Sequence, residues 1–392
     1  VVAARTTAVQ GRAAVDMNNV CWTIHGNVTR ANASAASAEV MSVSVAGSTN
    51  GVSLSCHGLH MTISGGAKVN ATATSSVVRV ASVSLPNSRA DVALLNVSFS
   101  LRQRSELRFW APLGVVTALC VVNDPTATAV NLTVREFDAI VDASDIQGTL
   151  GSAGCIGGLL VIGQLVNVSV TSVNLSVTQG ATLALGNQPG TSITGTTALL
   201  EQSVSLCVWL SMCIMNSDNR GRVHVEAKFV TILVSASSLD MTFLQILWAA
   251  MAIYVAGICP ATVRVHSFFV GCVDDTSFNI GVGEDPASPL LKSNVIGSLY
   301  VSFNDLPVTV SVADSVILLA VSQPSSVLSF VVVGGNVVLF SMVISQGNGN
   351  VDLSNSSVLV VGGSTLVSPP ASSATPTIAL LTVTVHKRVI LF

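Results

Sequence analysis

Charge is what this chain has least of. Asp, Glu, Lys and Arg make up 9% of its 392 residues, against roughly 25% in an average soluble domain. Charge pairs four residues apart are nearly absent, which leaves little material for solvated surface helices. Aromatic residues are equally thin at 5%. The net charge is -3, with no basic stripe and no platform of aromatics and Arg. Nucleic acid is therefore not an expected partner.

Long apolar runs are also scarce, although half of the residues are apolar. A membrane protein gathers such residues into runs of about 20. Here they are scattered in short runs between Ser, Thr, Asn and Gly. The exception is residues 241–259, MTFLQILWAAMAIYVAGIC, which carry no charge. The run is long enough to span a bilayer. Gln245, strand-like flanks and the lack of an adjacent Lys/Arg cluster favour a buried strand-and-turn segment instead. The chain opens on Val1 without a basic-then-apolar leader and reads as a fragment or processed piece. Membrane attachment is then expected through a region outside it.

Motifs of chemistry are missing too. There is no Cys-x-x-Cys, no Gly-x-Ser-x-Gly nucleophile elbow and no phosphate loop. The eight Cys (21, 56, 120, 155, 207, 213, 259 and 272) allow four disulfides. Their apolar neighbours fit buried thiols acting as small hydrophobes equally well. His57 and His60 are the one close His pair, without Cys or carboxylate at ligand spacing, so no metal and no cofactor are expected.

What the chain does have is alternation. Residues 166–186, VNVSVTSVNLSVTQGATLALG, hold three runs: Val168 and Val170; Val173, Leu175 and Val177; Leu183 and Leu185. Period two marks a strand with one buried face. The pattern recurs with first runs starting at Val52, Val92, Leu132, Val168, Val223, Val263, Leu299 and Val337. The steps are 36 to 40 residues, except for one of 55 that places an insertion or irregular turn in residues 186–219. A strand triplet cannot bury its apolar face alone, but stacked units enclose one continuous core. The expected fold is all-β: a right-handed parallel β-helix of eight or nine units of 36–40 residues. Gly65-Gly66, Gly157-Gly158, Gly334-Gly335 and Gly362-Gly363 are expected at its corners. Whether a unit is one coil or two is left open. Residues 1–50 read as an irregular N-terminal part or cap, 51–365 as the helix, 366–377 as a Pro/Ser linker and 378–392 as a partial terminal unit.

Many three-sheet β-helices cleave polysaccharides, which needs paired carboxylates across a cleft or a base beside a bound cation. The acidic candidates are Asp138, Asp142 and Asp145; Asp274 and Asp275; and Glu284 and Asp285. The two pairs read as a solvated turn and a loop tip, and no catalytic residue is assigned. His224 and His266, each in or beside the first run of its unit, are expected to make one outward column of imidazoles. Asn-x-Ser/Thr sequons at Asn27, Asn32, Asn70, Asn96, Asn131, Asn167, Asn174 and Asn355 are possible N-glycosylation sites and point to a cell-surface or secreted protein.

The NVSV…NLSV texture of residues 167–177, with 96–101, 131–134 and 351–360, resembles the large surface proteins of the trypanosome dispersed gene family of kinetoplastids. The resemblance is one of composition, spread over about residues 50 to 365. It implies a pectin-lyase-like β-helix ectodomain with an adhesive role, and it carries over no catalytic residues. The expected function is a non-enzymatic ectodomain segment that binds extracellular glycans or proteins. The alternatives are a carbohydrate-active β-helix with an unplaced site, and a degenerate repeat copy that loses register near residues 186–222 or 240–260.

Overall fold

The computed structural model describes residues 2–7, 13–26, 33–35, 38–46, 51–73, 78–85, 89–111, 116–123, 130–150, 156–187, 210–216, 221–243, 251–257, 259–282, 293–303, 306–322, 326, 329–333, 336–346, 351–361, 365–367 and 378–387. Among the described residues every regular element is a strand. They form three parallel sheets wound as a β-solenoid. A ten-stranded sheet runs from Val2–Thr7 to Ile378–Lys387, and a nine-stranded sheet from Ala33–Ala35 to Thr365–Val367. Between them in chain order lies an eleven-stranded sheet, from Ala13–His25 to Val351–Ser354 and Ser357–Val361. The chain visits ten-, eleven- and nine-stranded sheets in turn and then returns to the first, so each step is one circuit. Each circuit contributes one rung to the stack.

The strands of the eleven-stranded sheet carry the two first runs of the sequence units that start between Val52 and Val263. Val15, Leu54, Val92, Leu132, Val168, Val225, Val263 and Val310 pair in one inward column, at steps of 39, 38, 40, 36, 57, 38 and 47 residues, and Val351 pairs with Val310 after 41 more. Val168, Val170, Val173, Leu175 and Val177 are buried, while Ser169, Thr171, Ser172 and Asn174 between them reach solvent. The third run, Leu183 and Leu185, belongs to the nine-stranded sheet through Thr182–Asn187. Inward residues of all three sheets merge into one apolar core, which includes Phe99, Phe137, Phe268, Phe278 and Phe303. Removing that much apolar surface from water is what chiefly favours the coil over the extended chain.

Each long strand is bent once, and the bend explains why one strand reads as two runs. The residue at the bend has positive φ: Asn19, Gly58, Asn96, Glu136, Ser172, Phe229, Ser267, Asp314 and Asn355, with φ between 46° and 69°. These residues fall level with one another, because their neighbours pair on both sides. A single left-handed residue turns the chain without ending the ladder. It also separates a leading limb from a trailing limb. Gly, Asn and Asp suit this conformation best. A second corner leads to the nine-stranded sheet, with positive φ at Gly65, Arg104, Ala143, Gly180 and Ala236. There the small residues Ala67, Ser105, Ser144, Ala181, Ser237 and Thr276 are buried.

Several expectations shift in phase. Val52 and Val223 lie two residues ahead of the column, occupied there by Leu54 and Val225. Leu299 and Val337 are in the ten-stranded sheet, where Leu299 pairs with Ile253 and Met342. Val308–Ala313 continues the column in their place. All three sheets share the same alternation, so a lengthened connection lets a sequence pattern slip from one sheet to the next. Gly157 and Gly158 sit inside the strand Ile156–Gly163, not at a corner. The stretch read as an irregular N-terminal part or cap contains Val2–Thr7, Ala13–His25 and Ala38–Ala46, each paired into a sheet. Gly334, Gly335, Gly362, Gly363 and residues 368–377 of the Pro/Ser stretch lie outside the described residues.

The long step falls between Thr182–Asn187 and Leu210–Asn216, and residues 188–209 lie outside the described residues. Register nevertheless carries through, from Asn167 opposite His224 to Val177 opposite Val234. The apolar run 241–259 is divided between Ser238–Phe243 in the nine-stranded sheet and Met251–Gly257 in the ten-stranded one. Among the described residues no helix is long and apolar enough to cross a membrane.

Asn216 closes the corner between the ten- and eleven-stranded sheets. Its side chain accepts from Leu165 N–H (3.3 Å) and donates to Leu165 C=O (3.4 Å) and Cys259 Sγ (3.0 Å). Replacing it by an apolar isostere strands buried backbone groups. Asn216→Leu is expected to cost about 1–3 kcal/mol and Leu175→Ala about 2–5 kcal/mol, read as shifts in the urea unfolding midpoint. Gly148 lies under the ring of Phe109 on the neighbouring strand, where a Cβ has no space. Gly148→Leu should therefore lower the midpoint as well, whereas the same change at Gly66, where a Cβ meets nothing within 4 Å, acts only through its positive φ.

Candidate functional site

Function on a filled solenoid has to sit on its outside, since the interior is packed. The outward columns of the eleven-stranded sheet carry most of the polar candidates. On the leading limb, Asp91, Asn131 and Asn167 form a ladder: Asn131 Nδ2 donates to Asp91 Oδ1 (2.8 Å), and Asn167 Nδ2 to Asn131 Oδ1 (3.0 Å). On the trailing limb, His60 Nδ1 meets Ser98 Oγ at 2.8 Å and Thr62 meets Ser100 at 3.0 Å. At the bend, Asn355 Nδ2 donates to Asp314 Oδ1 (2.6 Å). Such rung-to-rung bonds satisfy polar side chains along the stack, with few charged groups among them.

The sequons spread across this surface. Asn70 is half-buried in Lys68–Ala73, Asn96 is a bend residue, Asn174 is outward on the trailing limb, and Asn355 is exposed at the bend. Asn131 and Asn167 use their amide nitrogens in the ladder. Asn27 and Asn32 lie outside the described residues.

The acidic candidates do not converge. Asp138 and Asp142 are on the trailing limb, where Asp142 accepts from Thr178 Oγ1 at 2.8 Å, and Asp145 opens a strand of the nine-stranded sheet beside Glu106. Asp274 and Asp275 form the corner turn expected of them, with φ of 35° and 33°. Asp274 accepts from Ser322 N–H (2.6 Å) and Oγ (2.7 Å), and Asp275 from Ser326 Oγ (3.2 Å). Glu284 and Asp285 lie outside the described residues. His57 and His60 are divided by the bend at Gly58. Among the described residues no group of three or more His, Cys, Asp or Glu could hold a metal.

His224 and His266 both face outward but do not share a column. His224 is level with Thr262, and His266 with Lys228. The place level with His224 is Thr262, and His266 lies two outward positions further along, past Arg264. The shift assembles a cluster that sequence spacing conceals. Glu226 is flanked by Lys228 (2.8 Å) on its own strand, and it lies level with Arg264 on the next. His224 and His266 stand at the ends of the group. Phe229, the bend residue beside Lys228, is 58% exposed. The signal for this site lies in the outward positions of HVEAKF and VRVHS. It emerges only once those two stretches, 38 residues apart, are known to pair.

The Lys228 hydrogen bond holds the Glu226 carboxyl below the usual Glu value; desolvation opposes it, and the charges of Lys228, His224 and Arg264 add to the lowering. A general acid needs the opposite shift, towards neutral. Glu226 is thus suited to accept from charged and hydroxylated groups rather than to donate a proton. A second ionic group, Glu106 with Arg108 and Lys68 (3.7 Å), opens the nine-stranded sheet at the far corner. Among the thiols, burial pushes Cys56 up to about 11 and raises Cys272 as well. Both act as core hydrophobes.

No protein-family model, curated protein or solved structure matches the chain.

Two outcomes follow from these environments. Iodoacetamide should label exposed Cys21 in the native protein and reach Cys56 and Cys272 only after denaturation, as read by peptide mass mapping. Glu226 has a depressed folded value, so its stabilising effect is present above the ordinary Glu range and is lost as pH falls through the folded value. The urea-midpoint gap between wild type and Glu226→Gln should be small, because the pair is partly open to solvent, and should close on acidification below about pH 4.

Proposed function

We propose that the chain is a non-enzymatic binding segment of a surface or secreted protein, presenting the outer face of its bent sheet to extracellular glycans or proteins. The observation that carries this reading is the lowered Glu226 within a basic and imidazole cluster on an otherwise hydroxyl- and amide-rich wall. Such a face offers many hydrogen-bonding and ionic contacts. The sequons at Asn70, Asn96 and Asn174 support exposure to a glycosylating compartment, and the textural resemblance to the kinetoplastid dispersed gene family supports an adhesive, cell-surface role. We take the winding as right-handed, the sense that nearly all parallel crossovers adopt.

Expression through a eukaryotic secretory pathway should give a chain whose apparent mass drops on treatment with an amidase that removes N-glycans. The purified chain should bind immobilised extracellular matrix or a glycan array while releasing no reducing ends or unsaturated products from polysaccharides. Turnover of any polysaccharide would overturn the binding-only reading, and an unchanged apparent mass would overturn the glycoprotein part of it.

A further inference from the structure

Phe229 is the anomaly of the outer wall. Eight of the nine bend positions hold Asn, Gly, Glu, Ser or Asp, residues that are small or polar. The ninth is a Phe at φ 54°. A bulky aromatic in the left-handed region is strained. Its side chain is also the most exposed of the large apolar ones, at 58% against 54% for Val361 and 46% for Leu359. Its column neighbours are Ser172 and Ser267, so nothing large stands beside the ring within the column. Phe229 therefore costs free energy in both backbone conformation and solvation, with no gain inside the fold. An observed strain of this kind points towards a function.

The surroundings indicate what the ring meets. In the outward column beside the bend the order is Asn18, His57, Leu95, Arg135, Thr171, Lys228 and His266. Imidazole or cationic groups thus recur at every second rung from His57 to Lys228, and again at the next rung. Two rungs are about 9.6 Å apart. Arg264 and His224 widen the group at its Phe229 end. Glu226 and Glu136 supply carboxylates on the same limb and bend. Between the rungs of Arg135 and His266, Arg135, Lys228 and Arg264 outnumber Glu136 and Glu226, on a limb whose other rungs carry Asp16, Asp91 and Asp352.

We infer that this limb is a binding track for an anionic β-linked polysaccharide carrying one acidic group per disaccharide. A sugar ring stacks on Phe229, its acidic groups meet Lys228, Arg264 and the basic positions two rungs apart, and Glu226 accepts from hydroxyls. The spacing favours a glycan over an extended acidic peptide. Same-face side chains of an extended peptide recur at about 6.6 Å, which fits neither one rung nor two, whereas two rungs are close to one disaccharide of an extended β-linked chain. Peptide addition to a sheet edge is closed here as well, because the strand Val223–Ser235 is paired on both sides. This inference rests on the binding reading above and names its ligand class.

The test uses the full chain and a fluorescent hyaluronan octasaccharide, followed by anisotropy. Binding should be saturable and weaken with salt. A neutral cello-oligosaccharide, poly-glutamate and oligo-dT should bind at least ten-fold more weakly. Phe229→Ser, which copies both column neighbours, and Arg264→Ala should each weaken binding by about ten-fold or more, as loss of a stacked ring or a charge contact implies. The urea midpoint of Phe229→Ser should stay unchanged or rise, separating lost recognition from lost folding. Absence of hyaluronan binding, or binding that Phe229→Ser leaves intact, overturns the inference. So does poly-glutamate or oligo-dT binding with the affinity of the glycan. If hyaluronan fails but the chain holds matrix or another glycan through a Phe229-independent face, the site is wrong and the wider binding reading stands.

Discussion

Everything in this molecule depends on register between neighbouring rungs. Backbone groups of each strand are satisfied by the strands before and after it, so a side chain's closest lateral neighbours lie some forty residues away in sequence. A slip of one residue would turn every apolar side chain outward. The left-handed bend fixes that phase. Where Gly58, Asn96 or Ser172 sits, the strand must turn, and the two limbs on either side are set by it. Small buried residues at the next corner, Ala67 to Thr276, do the same for the step to the nine-stranded sheet.

That dependence explains what the sequence reveals and what it conceals. Alternation at Val168, Val170, Val173, Leu175 and Val177 reports burial directly, because period two is a property of one strand. Fold class is legible from it. Phase is not, because all three sheets alternate alike. Leu299 and Val337 look like first runs and belong to another sheet. The bend is half-visible: Asn and Gly mark it in some rungs, while Glu136 and Phe229 carry no turn signal. The outer cluster is the least legible feature. Glu226 with Lys228 is a common strand pair, and Arg264 with His266 another. Only the pairing of Val225 with Val263 makes them one surface.

The outer wall uses two ways of keeping polar groups satisfied. Over much of its length, amides and hydroxyls bond along the stack, as in Asn131 with Asn167 and Thr62 with Ser100. Around Glu226 the chain concentrates charge instead, and leaves an aromatic ring in water beside it. A fold so sparing in charge places several of its few ionisable residues on two adjacent rungs. That concentration, more than any single residue, distinguishes this part of the wall from the rest.

The parallel pairing of the eleven-stranded sheet also sets how the molecule would carry load. Its backbone hydrogen bonds point along the stack, from rung to rung. A pull between the two ends of the stack would therefore load them in tension, a few at a time, and the solenoid would peel open circuit by circuit. A pull along the strands would load a whole rung of bonds in shear at once. Anchored at one end and gripped on its side wall, the chain would resist as a rigid bar. Gripped at both ends, it would yield as a spring that lengthens in increments of one circuit.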